Sequence, residues 1–387
     1  MVGRRWDFSR YKERMGEAER RLSIARSFRE PDRVPVRISV AGSYFAWLQG
    51  VNIKDYYRAP WEGNFDLQIE VQLEGQRWCF EELGDDRTGV SVWLDLGPIS
   101  EGIFFGCPIH WPEDTSPRVE PILKTEEDIR KFVKEWRIPD PAEHKGVQEV
   151  YRLCERFRER AENLGLKEAG VGIPSGCGLQ IHPPLSCACA IADKTTVFEL
   201  MLTDKDLIRR LFSKLLACFL VLQEFHDRYN RTKTESIGLA DDDSAFVSDE
   251  LYRELVMPYN LTIYERYGKR WRYLHADGPN DHHFRTYAEI MRINEMDIGG
   301  FSDIANAKRE MHGKTVIFGG LNNKDLYGGF EEARPKVERA IRIGAPGGGY
   351  IFGIGGETYV GTDPDVLCRV VEHARKVGKY PKGGKMG

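Results

Sequence analysis

At 387 residues, with 41% hydrophobic and 30% charged side chains, the chain is long enough to bury a sizeable core and has the composition of a soluble globular protein. A net charge of -4 with both signs interspersed argues against nucleic acid or an acidic membrane as the main partner. No run approaches the ~20 apolar residues of a membrane span, and the basic N-terminal stretch lacks a signal-peptide core, so a cytoplasmic location is expected.

The first element in chain order is a charged amphipathic helix over residues 10–30, ended by Pro31-Asp32-Arg33. A strand follows over Val34–Val40 and closes at Gly42. Residues 43–111 are rich in aromatics, Tyr44 and Trp47 among them, which suit both a core and an apolar ligand pocket. Within this stretch, LGDDRTGVSVWLDLGPISEGIFFG alternates like a hairpin or two short strands. Thr125 to Asp128 is a capping signal for the next helix. Pro139-Asp140-Pro141 separates that helix from a longer one over 145–164.

Gly170 to Pro174 reads as a strand. The loop and helix after it carry Cys177, His182, Cys187 and Cys189. A soft-metal site is conceivable there, but Cys187 and Cys189 lack the two-residue gap of a zinc knuckle and sit between alanines, which favours helix packing. The eight cysteines are scattered among apolar neighbours, unlike a disulfide scaffold, and Cys79, Cys107, Cys154, Cys218 and Cys368 read as core. Thr203-Asp204 caps a helix of about 25 residues, on which His226 is a surface or packing residue.

From there strands alternate regularly with helices: ESIGLADDD, RWRYLHADG, MDIGGFSD, TVIFGGLN and YIFGIGGE are each followed by a helical segment. This pattern predicts parallel strands joined by crossovers. With the strands at 34–40 and 170–174 seven are visible, and an eighth is expected within the aromatic segment. The expected fold is therefore an α/β protein: a (β/α)8 TIM-type barrel, with a helical extension over 1–30, a single barrel domain over 31–387 and an aromatic-rich insertion.

A barrel of this kind carries its site at the C-terminal ends of the strands. The residues there are Asp241, Asp242 and Asp243; His275 and Asp277; Ser302 and Asp303; Asn322 and Asn323; and Glu357. His275 and Asp277 lie two apart at a strand end, so they can aim at one point, to hold a divalent metal or to work as acid and base. The alternative is local: Asp277 starts a turn with Gly278-Pro279 and His275 closes the strand. Asp241–Asp243 are further acid–base candidates, and Tyr44, Trp47, Asp303 and Asn322 are candidate substrate contacts. His282 and His283 diverge on a helix and read as surface or rim.

The order and spacing of several segments resemble the uroporphyrinogen decarboxylase superfamily. They are DRVPV, Gly106-Cys107, TEEDIRKF, RIPDP, the helix after MLTDKD, ADDDSAFVSDELYRELVMPY, LHADG, FGGLNNKDL and GGETYVGTDPDVL. The resemblance implies a barrel enzyme, either a decarboxylase or a corrinoid-linked methyltransferase. Decarboxylases of this kind carry an arginine-rich RQAGR signature after the first strand, where this chain reads Ile38 to Ser43 without arginine. They also carry a late histidine, where this chain has Gly355-Gly356-Glu357. The methyltransferase branch binds zinc through His-x-Cys and a later Cys. Carried over by position, the ligands are His275, Asp277 and Glu357, so both thiolates become carboxylates.

A nitrogen and two oxygens still suit Zn²⁺ and favour an ether, alcohol or phenolate oxygen over a thiol. The resemblance thus implies a methyltransferase that takes a methyl group from a methoxylated, aromatic small molecule and gives it to a Co(I) corrinoid (cobalamin) protein. It also allows a homodimer. The glycine-rich GAPGGGYIFGIGG segment is either a close approach for that partner or a flexible loop. Two alternatives remain: a metal-independent decarboxylase or lyase on an aromatic or tetrapyrrole-like acid, and a corrinoid- or tetrapyrrole-binding protein without turnover.

Overall fold

Strand alternation dictates the centre of the molecule. In the computed structural model, which describes residues 6–381, β1 (Ile109–His110) and β2 (Arg118–Val119) form a small antiparallel ribbon. The segments β3 (Ser236–Ala240), β4 (Trp271–His275), β5 (Glu295–Asp297), β6 (Val316–Leu321) and β7 (Tyr350–Ile354) form a parallel sheet in sequence order. Parallel neighbours need crossovers, and helical segments supply them, such as Ile304–Met311 and Phe330–Gly344.

The sheet continues past β7. Val36 bridges Phe352 in parallel, with Arg37 N donating to Phe352 O at 2.9 Å. Asp86 N donates to Val36 O at 2.7 Å, and residues 90–92 pair with Gly172 through Val92 N to Gly172 O at 3.0 Å. Five strands and three extended segments therefore follow one another in a TIM-barrel-like order. Among the described residues no backbone hydrogen bond joins the segment around Gly172 to β3.

Several expectations change in detail. The expected hairpin is one extended segment at 86–92, which supplies the missing eighth member, and then a helix, Ser100–Phe105. The aromatic segment also folds into Gly42–Leu48, Ile53–Arg58 and Phe65–Trp78, burying Tyr44, Phe45, Tyr56 and Phe104. The expected single helix after β3 breaks at Val256 into Asp249–Leu255 and Met257–Tyr267. Pro258 has no N–H to continue the first helix but fits the first turn of the second. The helix expected after β4 becomes two short irregular turns, Asp281–His283 and Thr286–Ile290.

Capping fixes the long helices where the sequence marks them. Thr125 and Asp128 form a reciprocal capping box, and the Asp204 side chain accepts from Leu207 N at the start of Lys205–Asn230. The N-terminal helix α1 (Lys12–Arg26) packs at the end of the sheet opposite the strand C-termini. Its Leu22 packs with Val316, Phe318 and Ile351, a burial worth about 2 kcal/mol. Its Arg21 and Arg33 of the next segment both bind Asp86, at 2.7 and 2.6 Å. Residues 1–5 and 382–387, the ends of the expected 1–30 extension and 31–387 domain, lie outside the described residues. No helix among the described residues is long and apolar enough to cross a membrane.

Candidate functional site

The ladder places the central pair. His275 ends β4 and Asp297 ends β5, and the two are direct partners across the strands. Both side chains line one cavity. His275 Nδ1 lies 3.3 Å from Asp297 Oδ2, and its Nε2 lies 3.6 Å from Asp242 Oδ1 and 3.8 Å from Asp277 Oδ2. Asp297 is held in turn by the N–H groups of Gly299 and Gly356, at 3.0 and 3.2 Å. Asp277 N donates to Asp242 Oδ1 at 2.8 Å, which ties the loops after β3 and β4 together.

One donor atom from each of Asp242, His275 and Asp277 lies within 4.8 Å of the others. Burial opposes the charged form of His275, but the hydrogen bond and charge of Asp297, with Asp242 and Asp277, outweigh it and push its pKa up to about 9. Burial lifts Asp277 to about 6, against the pull of His275. Glu357 is also raised, first by burial and then by Asp95. Asp242, His275 and Asp277 are thus the residues that could hold a cation.

These groups open onto a cavity of about 1590 Å³ whose lining reaches Arg26 and Glu295. Trp47, Asp242, His275, Asp277 and Glu357 line it. The third member of the cluster, and its second carboxylate, is Asp242 in place of the expected Glu357, which faces the same space without joining the cluster.

The other sequence candidates sit elsewhere. Asp241 is fully buried behind the site, accepting from Ser186 Oγ at 3.2 Å and Asn260 Nδ2 at 2.8 Å, and burial lifts its pKa to about 7. Asp243 pairs with Lys194 at 2.7 Å. Tyr44 is buried, its hydroxyl donating to Thr362 O at 2.8 Å. Asp303 caps Ile304–Met311 and pairs with Arg339 at 2.8 Å, while Asn322 caps the turn after β6. None of these five lines the cavity.

Cys177, Cys187 and Cys189 are free, buried thiols, as the packing reading expects. His283 is not a rim residue: it is buried, 3.0 Å from both Asp249 Oδ1 and Ser244 O. In the glycine-rich segment, a Cβ at Gly348 would lie 2.6 Å from Arg29 O, and one at Gly355 would lie 2.0 Å from Gly299 C. The close approaches are therefore to the chain's own backbone.

Two features escaped the sequence reading. His182 lines the cavity wall, with Nδ1 2.8 Å from Glu101 Oε1, and its own backbone N–H donates to the same oxygen at 2.6 Å. Glu101 lies 81 residues away, so no local motif marks the pair. Arg37 also lines the cavity. Its signal was present: Val34, Val36 and Ile38 are buried on one face of their segment, which turns Arg37 to the other.

The family model described as uroporphyrinogen decarboxylase (URO-D) matches residues 18–377. A uroporphyrinogen decarboxylase from Saccharopolyspora erythraea is 31% identical over 150 residues, covering 36% of this chain and 41% of its own length. A second, from Thioalkalivibrio sulfidiphilus, is 26% identical over 96 residues, covering 24% of this chain and 27% of its own. The chain thus spans less than half the length of these curated relatives. Among solved structures, a methyltransferase from Methanosarcina mazei superposes with a TM-score of 0.64 at 14% identity, covering 93% of this chain and 98% of the other, a likeness of fold.

Proposed function

Because the chain belongs to the uroporphyrinogen decarboxylase family, we propose that it is a corrinoid-linked methyltransferase of that superfamily, acting on a methoxylated aromatic compound. The observation that carries this reading is the three-donor cluster of Asp242, His275 and Asp277, backed by Asp297. The methyltransferase fold neighbour supports it. So does the cavity: its roughly 1590 Å³ exceeds the ~300–1,000 Å³ usual for one small ligand and leaves space for a second reactant.

The cluster fits zinc. Two ligands each about 2.1 Å from one tetrahedral ion stand ~3.4 Å apart, close to the 3.6 and 3.8 Å found between His275 Nε2 and the two carboxylates. Asp297 on Nδ1 fixes the ring so that Nε2 faces the shared point, the usual carboxylate–histidine support of a metal ligand. A bound zinc ion supplies a Lewis acid for the oxygen from which the methyl group departs.

In the proposed transfer the methyl C–O bond breaks, its electron pair stays on oxygen, and the Co(I) acceptor on the partner protein supplies the pair for the new bond to carbon. The departing oxygen takes a proton. Glu357, lining the cavity with its pKa raised by burial and by Asp95, is the candidate donor, and Trp47 contributes an aromatic wall. A single barrel domain over 31–387, a cytoplasmic setting and a homodimer belong to the same proposal.

The second reading is a metal-independent decarboxylase, favoured by the names of the two curated relatives. One experiment separates them: methyl transfer from anisole to Co(I) cobalamin, followed by the cobalamin absorbance, with and without a chelator. The methyltransferase reading predicts transfer that stops on chelation and returns with zinc. Release of CO2 from an aromatic acid, unaffected by chelation, contradicts it.

A further inference from the structure

The interior of this barrel is charged, where parallel barrels usually fill it with branched aliphatic side chains. Several of its charges are paired. Glu295 pairs with Arg26 at 2.6 Å, Asp297 with His275 at 3.3 Å, and Arg87 with Asp85 at 3.1 Å. Arg37 lines the same cavity and, among the described residues, has no ion pair or hydrogen bond from its guanidinium. Its charge reaches Tyr273, which also lines the cavity and whose hydroxyl likewise has no hydrogen-bond partner among the described residues.

The unmatched charges thus separate. Asp242, Asp277 and Glu357 leave the mouth negative, and Arg37 leaves one positive charge in the interior. Phe318 and Ile351 give the interior an apolar wall. A guanidinium with open donors in a concave, partly apolar space is a ready partner for a planar carboxylate.

We infer that Arg37, with the Tyr273 hydroxyl, forms an anion subsite that takes the carboxylate of the substrate, making the methyl donor a methoxylated aromatic carboxylate. This rests on the methyltransferase reading and adds the substrate class to it. The carboxylate points inward to Arg37, the ring lies along Phe318 and Ile351, and the methoxy group is directed to the mouth at His275. With zinc at the mouth offsetting the charge of Asp242 and Asp277, the Arg37 guanidinium at the other end sets the direction of binding. This subsite is formed by a residue of the extended segment through Val36, immediately before Ile38.

The test is calorimetric titration of the full chain with anisate, the para-methoxy benzoate, and with anisole, which lacks the carboxylate. A charge-assisted contact of this kind is worth about tenfold or more in affinity. Wild type should therefore bind anisate at least about tenfold more tightly than anisole. Arg37→Gln should bring anisate down to the level of anisole and leave anisole unchanged. Equal affinities in wild type, a comparison that needs no variant, overturn the inference, as does a preference that survives Arg37→Gln. The readout is binding, so it is separate from the methyltransferase reading. Anisate that binds through Arg37 but then loses CO2 supports the subsite and overturns that reading, whereas anisole that is demethylated without any anisate preference does the reverse.

Discussion

His275 Nδ1 stands 3.3 Å from Asp297 Oδ2, between residues that end adjacent strands in register. The ring therefore cannot turn without breaking a contact fixed by the sheet, and its Nε2 is held toward Asp242 and Asp277. Asp297→Asn should leave the fold in place but lower zinc affinity by about 10- to 100-fold, the usual cost of losing a second-layer carboxylate. Chelator competition measures this; an unchanged affinity means that Asp297 does not orient the ligand.

Gly356 gives a second handle on the same geometry. It has φ +71°, and a Cβ there would lie 2.9 Å from Asp277 Oδ2. Gly356→Ala should displace Asp277 and weaken zinc binding, at a stability cost of about 1–2 kcal/mol for the left-handed backbone. Gly355→Ala meets the backbone of Gly299 and should appear chiefly as a fall in Tm.

The Glu101–His182 pair makes a pH prediction. Burial disfavours both charges, yet each partner outweighs it: Glu101 falls below its ordinary 4.5 and His182 rises above its ordinary 6.5. The glutamate contribution to stability is present above 4.5 and is lost as pH falls through its lowered folded value. The histidine contribution is present below 6.5 and is lost as pH rises through its raised folded value. The stability difference between wild type and Glu101→Gln should thus be greatest between about pH 4.5 and 6.5 and shrink on either side. Denaturant midpoints across pH check it, and a difference independent of pH contradicts it.

Asp86 tests how α1 is held against the sheet. It is 4% exposed and binds Arg21 and Arg33, each 7% exposed. Asp86→Ala leaves the buried Arg33 without its carboxylate, while Arg21 keeps its pair with Asp32 at 2.8 Å, and should cost about 3–5 kcal/mol. A loss below 1 kcal/mol in chemical denaturation, far under that range, would mean that water replaces the carboxylate.

Much of the frame was readable in the sequence because its signals are local. The apolar runs in TVIFGGLN and YIFGIGGE, the capping pair Thr125 and Asp128, and Asp204 before Lys205–Asn230 each act within a few residues. His275 and Asp277 were likewise legible as an i, i+2 pair at a strand end. The third member of their cluster was not, because barrel curvature decides which loop reaches the shared point: Asp242 lies one strand away, while Glu357 comes from β7.

Neighbouring residues of one type also hid their roles. In Asp241-Asp242-Asp243, one carboxylate faces the buried helix layer, one the cavity and one Lys194, and no composition signal distinguishes them. Tyr44 and Trp47 similarly divide between core and cavity within one short helix.

The central claim is that Asp242, His275 and Asp277 hold a metal ion. The most direct test is elemental analysis of the purified protein, in wild type and in His275→Ala, after dialysis against buffer containing trace zinc. The account predicts about one zinc per chain in wild type and its loss in His275→Ala, with both proteins folded by circular dichroism. Wild type without stoichiometric metal, or zinc retained in full by His275→Ala, would contradict it.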